Sequence, residues 1–450
     1  MADTPPTKKE PDWTGGSLAR DVTGTFGTRI LTMAVGMFTG MVTARMLGPE
    51  HRGIFALVAL FPASVVTLAK FGQAQATVYF IRREKEDVGQ VVANVLYLAL
   101  SSSVLLVAAI VIFREQLLGT ILRGASSWSL AVVLPLVPLL LMESYLYSAL
   151  QATDRFKVYN TRLLAESLIT LAAMTVVLVG FGAGLPGALA VVVTVRMLMG
   201  AWVLWSVNKE TPIARGFDPG LFRRMFRYGI KSHVQIIASH FHFKADIYMV
   251  AYFLNPAQVA FYSIAARLAE HLMYIPQSLG MAMFPRLTGS SEAEAHRMTA
   301  MACRQILVLS GLAAAVLALS GRWFITLWYG SDFAPAAIPL PWICSGMVMM
   351  SLYVLLSRNF TSRNRQQVNI VAAYIALAGN LGLNLLLIPS RGIAGAAMAT
   401  TLSYTVAAVL LLVFFLRESG LGLSEVLVLR RSDIASWGRA LGEFRERSRG

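Results

Sequence analysis

The chain has 450 residues, 56% of them apolar and only 14% charged, where an ordinary soluble domain carries roughly 25% charged residues. Its mean hydropathy of +0.61 sets aside a soluble globular domain and points to a polytopic membrane protein. The net charge of +15 would suit a nucleic-acid partner, a reading that the placement of the charges removes below.

The first 16 residues carry Pro5, Pro6, Lys8, Lys9, Glu10 and Pro11 ahead of any apolar run. They read as a disordered cytoplasmic tail rather than a cleavable signal. Apolar runs long enough to cross a bilayer, about 20 residues each, fall near 22–44, 54–78, 88–113, 128–150, 159–181 and 186–207. A polar, basic linker follows at 208–230, with Pro212, Pro219 and Gly220. A second set falls near 231–253, 259–285, 300–320, 335–357, 367–388 and 393–416, and a basic tail closes the chain at 417–450. Within that tail, 421–431 has the pattern of a segment lying on the cytoplasmic surface or of a loose basic tail. Cys303 and Cys344 are too few for a disulfide framework or a cysteine metal site and read as packing residues.

Charge tests the span count. With the N-terminus in the cytoplasm, the great majority of the 39 lysines and arginines fall on inner segments, including Arg82, Arg83, Lys85, Arg155, Lys157, Arg162 and the arginines of the tail. The outer segments hold Arg45, Arg52, Arg114, Arg123, Arg322 and Arg391. This is the asymmetry of the positive-inside rule, so the basic excess is topological and nucleic-acid binding is set aside.

A short polar hinge, Leu47-Gly48-Pro49-Glu50, separates the first two runs, and a weakened copy, Leu254-Asn255-Pro256, separates the seventh and eighth. A second pair of landmarks, Gly184-Leu185-Pro186-Gly187-Ala188 and Gly392-Ile393-Ala394-Gly395-Ala396, lies almost the same interval apart. Two landmarks with one offset imply duplication, and six spans per half make the repeat parallel. The expected fold is all-α and polytopic: 12 transmembrane helices in two six-helix lobes, 17–207 and 231–416, related by a parallel pseudo-two-fold repeat.

With these stretches assembled, the chain resembles the polysaccharide-export branch of the superfamily that also holds the multidrug and toxin extruders and the lipid II flippase. The resemblance is carried by Ala44 to Glu50 with Gly53; Asp246-Ile247-Tyr248 leading to Tyr262-Ser263-Ile264-Ala265-Ala266-Arg267; Phe284-Pro285-Arg286-Leu287; and Asn380 to Asn384 running through Ile388-Pro389 to Thr400. It implies a flippase for oligosaccharides on a polyprenyl diphosphate carrier, exporting a polysaccharide precursor across a bacterial inner membrane. Membrane lipids and other polysaccharide-assembly membrane proteins are its expected partners.

A cation at mid-membrane costs about 2.5–3.5 kcal/mol on insertion scales, so it faces a cavity or a partner. The intramembrane cations are Arg29, Lys70 and Arg196 in the first lobe and Lys244 and Arg267 in the second. Together they suit a diphosphate, since a guanidinium can hold two phosphate oxygens at once. The bland reading is that Arg267 pairs with Glu270 three residues on, and that Lys70 and Arg196 snorkel to the cytoplasmic surface. Four intramembrane acids, Glu143, Glu166, Asp246 and Glu270, are candidates for proton or sodium coupling or for structural pairing. Asp246 lies in a polar stretch with His233, His240, His242 and Lys244 that offers no compact ligand set, so neither a metal nor another cofactor is expected. There is no G-x-S-x-G, P-loop or H-E-x-x-H, and the outer loops are too short for a catalytic domain. A drug or cation antiporter of the same fold is the first alternative, and a membrane enzyme of glycan assembly is the second.

Overall fold

The computed structural model describes residues 15–430 and 433, so the expected tail at 1–16 lies almost wholly outside the described residues. Every regular element among them is helical, and there is no strand. In chain order they are α1 (Gly15–Ala69), α2 (Gln73–Arg82), α3 (Val88–Ile112), α4 (Arg114–Gly119), α5 (Ser127–Val133), α6 (Leu136–Ala152) and α7 (Phe156–Thr175). Then come α8 (Gly184–Glu210), α9 (Pro219–Phe253), α10 (Pro256–Glu270), α11 (Tyr274–Gly289), α12 (Glu292–Tyr329), α13 (Leu340–Ser362), α14 (Gln366–Ser419) and α15 (Leu423–Leu427).

Both sequence landmarks are helix breaks. α1 is interrupted at Gly48 (φ 70°, ψ 173°) and α14 at Gly392 (φ 58°, ψ −140°). These backbone angles are open to glycine and strained for any residue with a Cβ. The copy before α10 turns by different chemistry: Asn255 Oδ1 caps the helix by accepting from the Gln258 amide at 3.0 Å, and Pro256 occupies the first turn, where no donor is needed.

Eight helices among the described residues are long and apolar enough to cross a membrane, and two of those, α1 and α14, contain a glycine break. The protein is therefore a multi-pass, all-helical membrane protein. α9 and the α10–α11 stretch fall short of that apolarity because they carry His233, His240, His242, Lys244, Asp246, Arg267 and Glu270. Apolar side chains that no protein covers mark the lipid-facing stripes, among them Leu100, Val104, Leu105 and Ile112 on α3 and Leu312, Val316 and Leu319 on α12.

Packing divides the chain into two compact units. The first holds Met1–Met46, Ala69–Ala109 and Val132–His233; the second holds Leu47–Leu68, Ile110–Ala131 and Val234–Gly450. This grouping differs from the boundaries at 207 and 231 expected from the repeat, because the second half of α1 packs with the later helices. In the first unit α6 packs on α2 and α8, and α7 packs on α8, around Leu141, Tyr145, Leu146, Leu189 and Val203. In the second unit α12, α13 and α14 enclose Cys303, Ile306, Leu355, Phe360, Leu411 and Phe415. Val426 of α15 joins that core, so the beginning of the basic tail is docked on protein. Arg304 of α12 holds it there through the Glu425 carbonyl and both Asp433 oxygens, the latter at 2.8 and 3.0 Å.

Candidate functional site

The second half of α1 presents Ala56, Ala59 and Ala63 on one face, a spacing of three and four residues that lines them up along a helix. Short side chains there leave a hollow of about 230 Å³ against α9 and α10. Ser64 fixes the register of α1 on α9: the Tyr248 hydroxyl donates to its Oγ at 2.6 Å, and His240 Nε2 lies 2.9 Å from the same atom.

Into this hollow project Arg52, Lys244, Arg267 and Glu270. Lys244 Nζ is 2.8 Å from Glu270 Oε1, so these two neutralise each other. Arg52 is buried, with its guanidinium carbon 5.4 Å from the centre of the Phe55 ring and its Nε without a hydrogen-bond acceptor. Arg267 has no ion pair among the described residues, and its side chain is exposed. The Arg267–Glu270 pair of the bland reading gives way to Lys244–Glu270, which leaves two guanidiniums with no carboxylate of their own. A hollow of this volume lies below the usual 300–1,000 Å³ of drug-sized sites, and it fits a compact anion.

Asp246 points away from the hollow, into a buried polar cluster on α10 and α14. Its carboxylate accepts from Thr400 Oγ1 at 2.6 Å, Asn384 Nδ2 at 2.5 Å and the Tyr262 hydroxyl at 3.1 Å. All three donors are neutral. Asn384 Oδ1 and Asn380 Nδ2 are buried there without partners. Carboxylate, hydroxyl and amide oxygens gathered in one place are the donor set that a hard cation or a proton requires.

In the first unit the acids and cations close on themselves. Arg162 reaches Glu143 at 2.6 Å and Glu166 at 2.5 Å, and Arg196 reaches the same two carboxylates at 2.9 Å each. This neutral quartet ties α6, α7 and α8 together, and the Tyr147 ring lies 4.8 Å under the Arg162 guanidinium. Arg196 is therefore committed to carboxylates rather than snorkelling, and Glu143 and Glu166 each hold two arginines. Lys70 is half-buried at the end of α1, where its carbonyl accepts from the Gln73 amide and the Tyr145 hydroxyl. Arg29 is exposed on the first half of α1.

Two residues were misplaced by counting charges along the chain. Arg52, expected on an outer loop, lies inside a helix that begins at Pro49 and lines the hollow. Its signal was available: it stands four residues before Ala56, on the same helix face as the alanines. Arg162, expected at a cytoplasmic loop, is 1% exposed inside the quartet. No sequence signal marks it, because only the folded chain brings Glu143 and Arg196 to it. Among the described residues, no group of three or more His, Cys, Asp and Glu side chains is placed to hold a metal ion.

A bundle of membrane-crossing helices, broken at glycines and carrying unpaired cations in an interior hollow, defines a transporter-type membrane protein. Solved structures agree on the fold. A multidrug resistance MATE family transporter of the MOP superfamily, in its inward-facing conformation, matches with a TM-score of 0.71 and 14% identity, over 86% of this chain and 94% of that one. The lipid II flippase MurJ, in an inward closed conformation, matches with a TM-score of 0.70 and 16% identity, over 89% and 90%.

The chain belongs to the polysaccharide biosynthesis protein family, whose model matches residues 18–291. Among curated relatives, a probable low-salt glycan biosynthesis flippase of Haloferax volcanii, Agl15, is 25% identical over 89% of this chain and 82% of its own length. A putative O-antigen transporter of Shigella flexneri is 24% identical over 44% of this chain and 47% of its own.

Proposed function

We propose that the protein is a flippase. It moves a polyprenyl-diphosphate-linked oligosaccharide from the cytoplasmic to the outer face of a bacterial inner membrane for polysaccharide export. It works by alternating access between two six-helix lobes, twelve spans in all, with both termini in the cytoplasm. The observation that carries this reading is the hollow on the second half of α1, where Arg52 and Arg267 lack carboxylate partners while Lys244 and Glu270 cancel. Two guanidiniums in a compact hollow suit a diphosphate, each able to hold two of its oxygens. Arg29 and Lys70 are further cations for the anionic headgroup; Arg196 is not, since its carboxylates already hold it. The same surplus of positive charge disfavours a cationic drug as cargo. Asp246, with its neutral donors and the free Asn384 oxygen, is the coupling site for a proton or sodium ion in this reading. Glu270 is matched to Lys244, and Glu143 and Glu166 to the quartet.

Lipid analysis of a deletion strain tests the function. Carrier-linked glycan should accumulate on the cytoplasmic face, and Arg52→Ala or Arg267→Ala should fail to clear it while still reaching the membrane. Unchanged carrier pools accompanied by altered drug resistance would overturn the reading.

A further inference from the structure

A second cavity lies wholly within the first unit, among α2, α6 and α9, and no residue of the anion site belongs to it. α2 starts after a break at Lys70, Phe71 and Gly72, and there it crosses α9 almost in backbone contact. A Cβ on Gly72 would sit 1.9 Å from the Gly229 carbonyl oxygen, so neither helix tolerates a side chain at the crossing. About two turns along α2, this closeness lays Tyr79 on Tyr228, with ring centres 4.2 Å apart and planes 21° apart. The end of α6 forms the third wall. It is fastened by Arg82, which donates to the carbonyls of Ala152 at 2.9 Å and Gln151 at 3.2 Å and pairs with Asp154.

The open groove so lined measures about 410 Å³, within the range of small-molecule sites. Its polar lining comes from Gln75, Ser148, Gln151 and the two tyrosines, and no lysine, arginine, aspartate or glutamate contributes to it. Of the nearby charges, Arg82 is engaged with Asp154, Arg224 with Glu86 at 2.6 Å and Glu84 with the Tyr79 hydroxyl, while Arg83 stands outside the lining. The Gln75 and Gln151 side chains make no hydrogen bond to the described protein and are exposed. Ser148 donates to the Ser144 carbonyl at 2.9 Å, which leaves its oxygen free to accept.

Each amide offers two donors and an acceptor, the pattern that adjacent sugar hydroxyls answer. An aromatic ring offers a face to the C–H side of a pyranose. A phosphate would find no cation in the lining. We infer that this groove is a binding subsite for neutral sugar residues of the carrier-linked glycan, separate from the hollow that takes the diphosphate. The inference rests on the flippase reading.

The probe is the glycan itself, released by mild acid from the lipid fraction of the deletion strain and so freed of phosphate and lipid. It is titrated against the full-length protein in lipid nanodiscs and followed by saturation-transfer NMR. Wild-type protein should bind it saturably. The double variant Gln75→Ala/Gln151→Ala should bind at least tenfold more weakly at an unchanged melting temperature, while Arg267→Ala should bind the phosphate-free glycan like wild type. Wild-type protein that fails to bind the released glycan, or a double variant that binds it equally well, overturns the sugar subsite and leaves the flippase reading standing. A deletion strain that accumulates no lipid-linked glycan overturns the flippase reading, and the sugar subsite with it.

Discussion

Gly53 provides the sharpest test of how the molecule changes state. It stands one turn after the Gly48 break, and its α-carbon faces the turn that opens α10: a Cβ placed on it would lie 1.7 Å from the Pro256 carbonyl oxygen, 2.5 Å from its carbon and 3.1 Å from its Cα. Pro256 is pressed from another side by Gly124, whose Cβ would fall 2.5 Å from the proline ring. Ordinary contact begins near 3.4 Å, so Gly53→Ala forces the two corners apart by roughly 1.5–2 Å, an overpacking that costs about 1–3 kcal/mol. The cost falls on the state in which the corners touch, so its population relative to the opposite state should drop by roughly 5- to 150-fold. Spin labels on His51→Cys and Tyr252→Cys, both exposed positions, report the separation by pulsed electron resonance; native Cys303 and Cys344 are buried and stay unlabelled. Gly53→Ala should move the distance distribution to a longer component and slow glycan export. A distribution indistinguishable from that of the parent pair would refute the gating role of this contact.

Three further outcomes follow from geometry. Arg162→Ala should leave buried Glu143 and half-buried Glu166 with Arg196 as their single cation, an uncompensated charge that costs about 3–5 kcal/mol, read as a lower melting temperature in detergent and a reduced membrane level, whereas Arg267→Ala should melt like wild type. Asp246→Asn keeps the size of the side chain in the cluster but removes the charge; transport in proteoliposomes should lose its dependence on an imposed proton or sodium gradient, and an unchanged gradient response would remove Asp246 from coupling. The Arg304 side chain, with the Arg430 amide, holds the Asp433 carboxyl below its ordinary range. Its contribution to docking the tail is therefore complete above the usual aspartate pKa of about 3.9 and is lost as pH falls through the lowered value. Proteolysis near 423–433 should then be flat from pH 5 to pH 8 and rise only in stronger acid, while Arg304→Ala should expose the segment at every pH.

Much of the architecture was legible because helix breaks are local chemistry. Gly48-Pro49 and Gly392 announce themselves in the chain, and each became a positive-φ break inside a longer helix. The polar stretch from His233 to Asp246 was legible for a related reason: polar groups inside apolar runs are costly, and here two of them, Lys244 and Asp246, open onto a hollow and a buried cluster. Partner choice was not legible. Glu270 had Arg267 one turn away and took Lys244, 26 residues back in sequence. Arg162 read as a cytoplasmic loop cation and Arg196 as an intramembrane cation for substrate, and both found the same two glutamates. Arg52 was hidden by a boundary: counting apolar runs started the second span near 54, whereas the helix had already restarted at Pro49.

The arrangement of charge also carries an electrical consequence. Two arginines against two glutamates make the quartet of the first unit blind to the membrane potential, so its helices can shift without electrical work. The hollow is different. With Lys244 and Glu270 cancelled, Arg52 and Arg267 leave it two positive charges, which the diphosphate of the proposed cargo would bring close to none. An inside-negative potential exerts about 2.3 kcal/mol per charge for each 100 mV crossed. In the flippase proposed above it would act little on the loaded transporter and pull the empty site back toward the cytoplasm. In the proposed cycle, the voltage would rewind the empty machine between cargoes rather than push the cargo through.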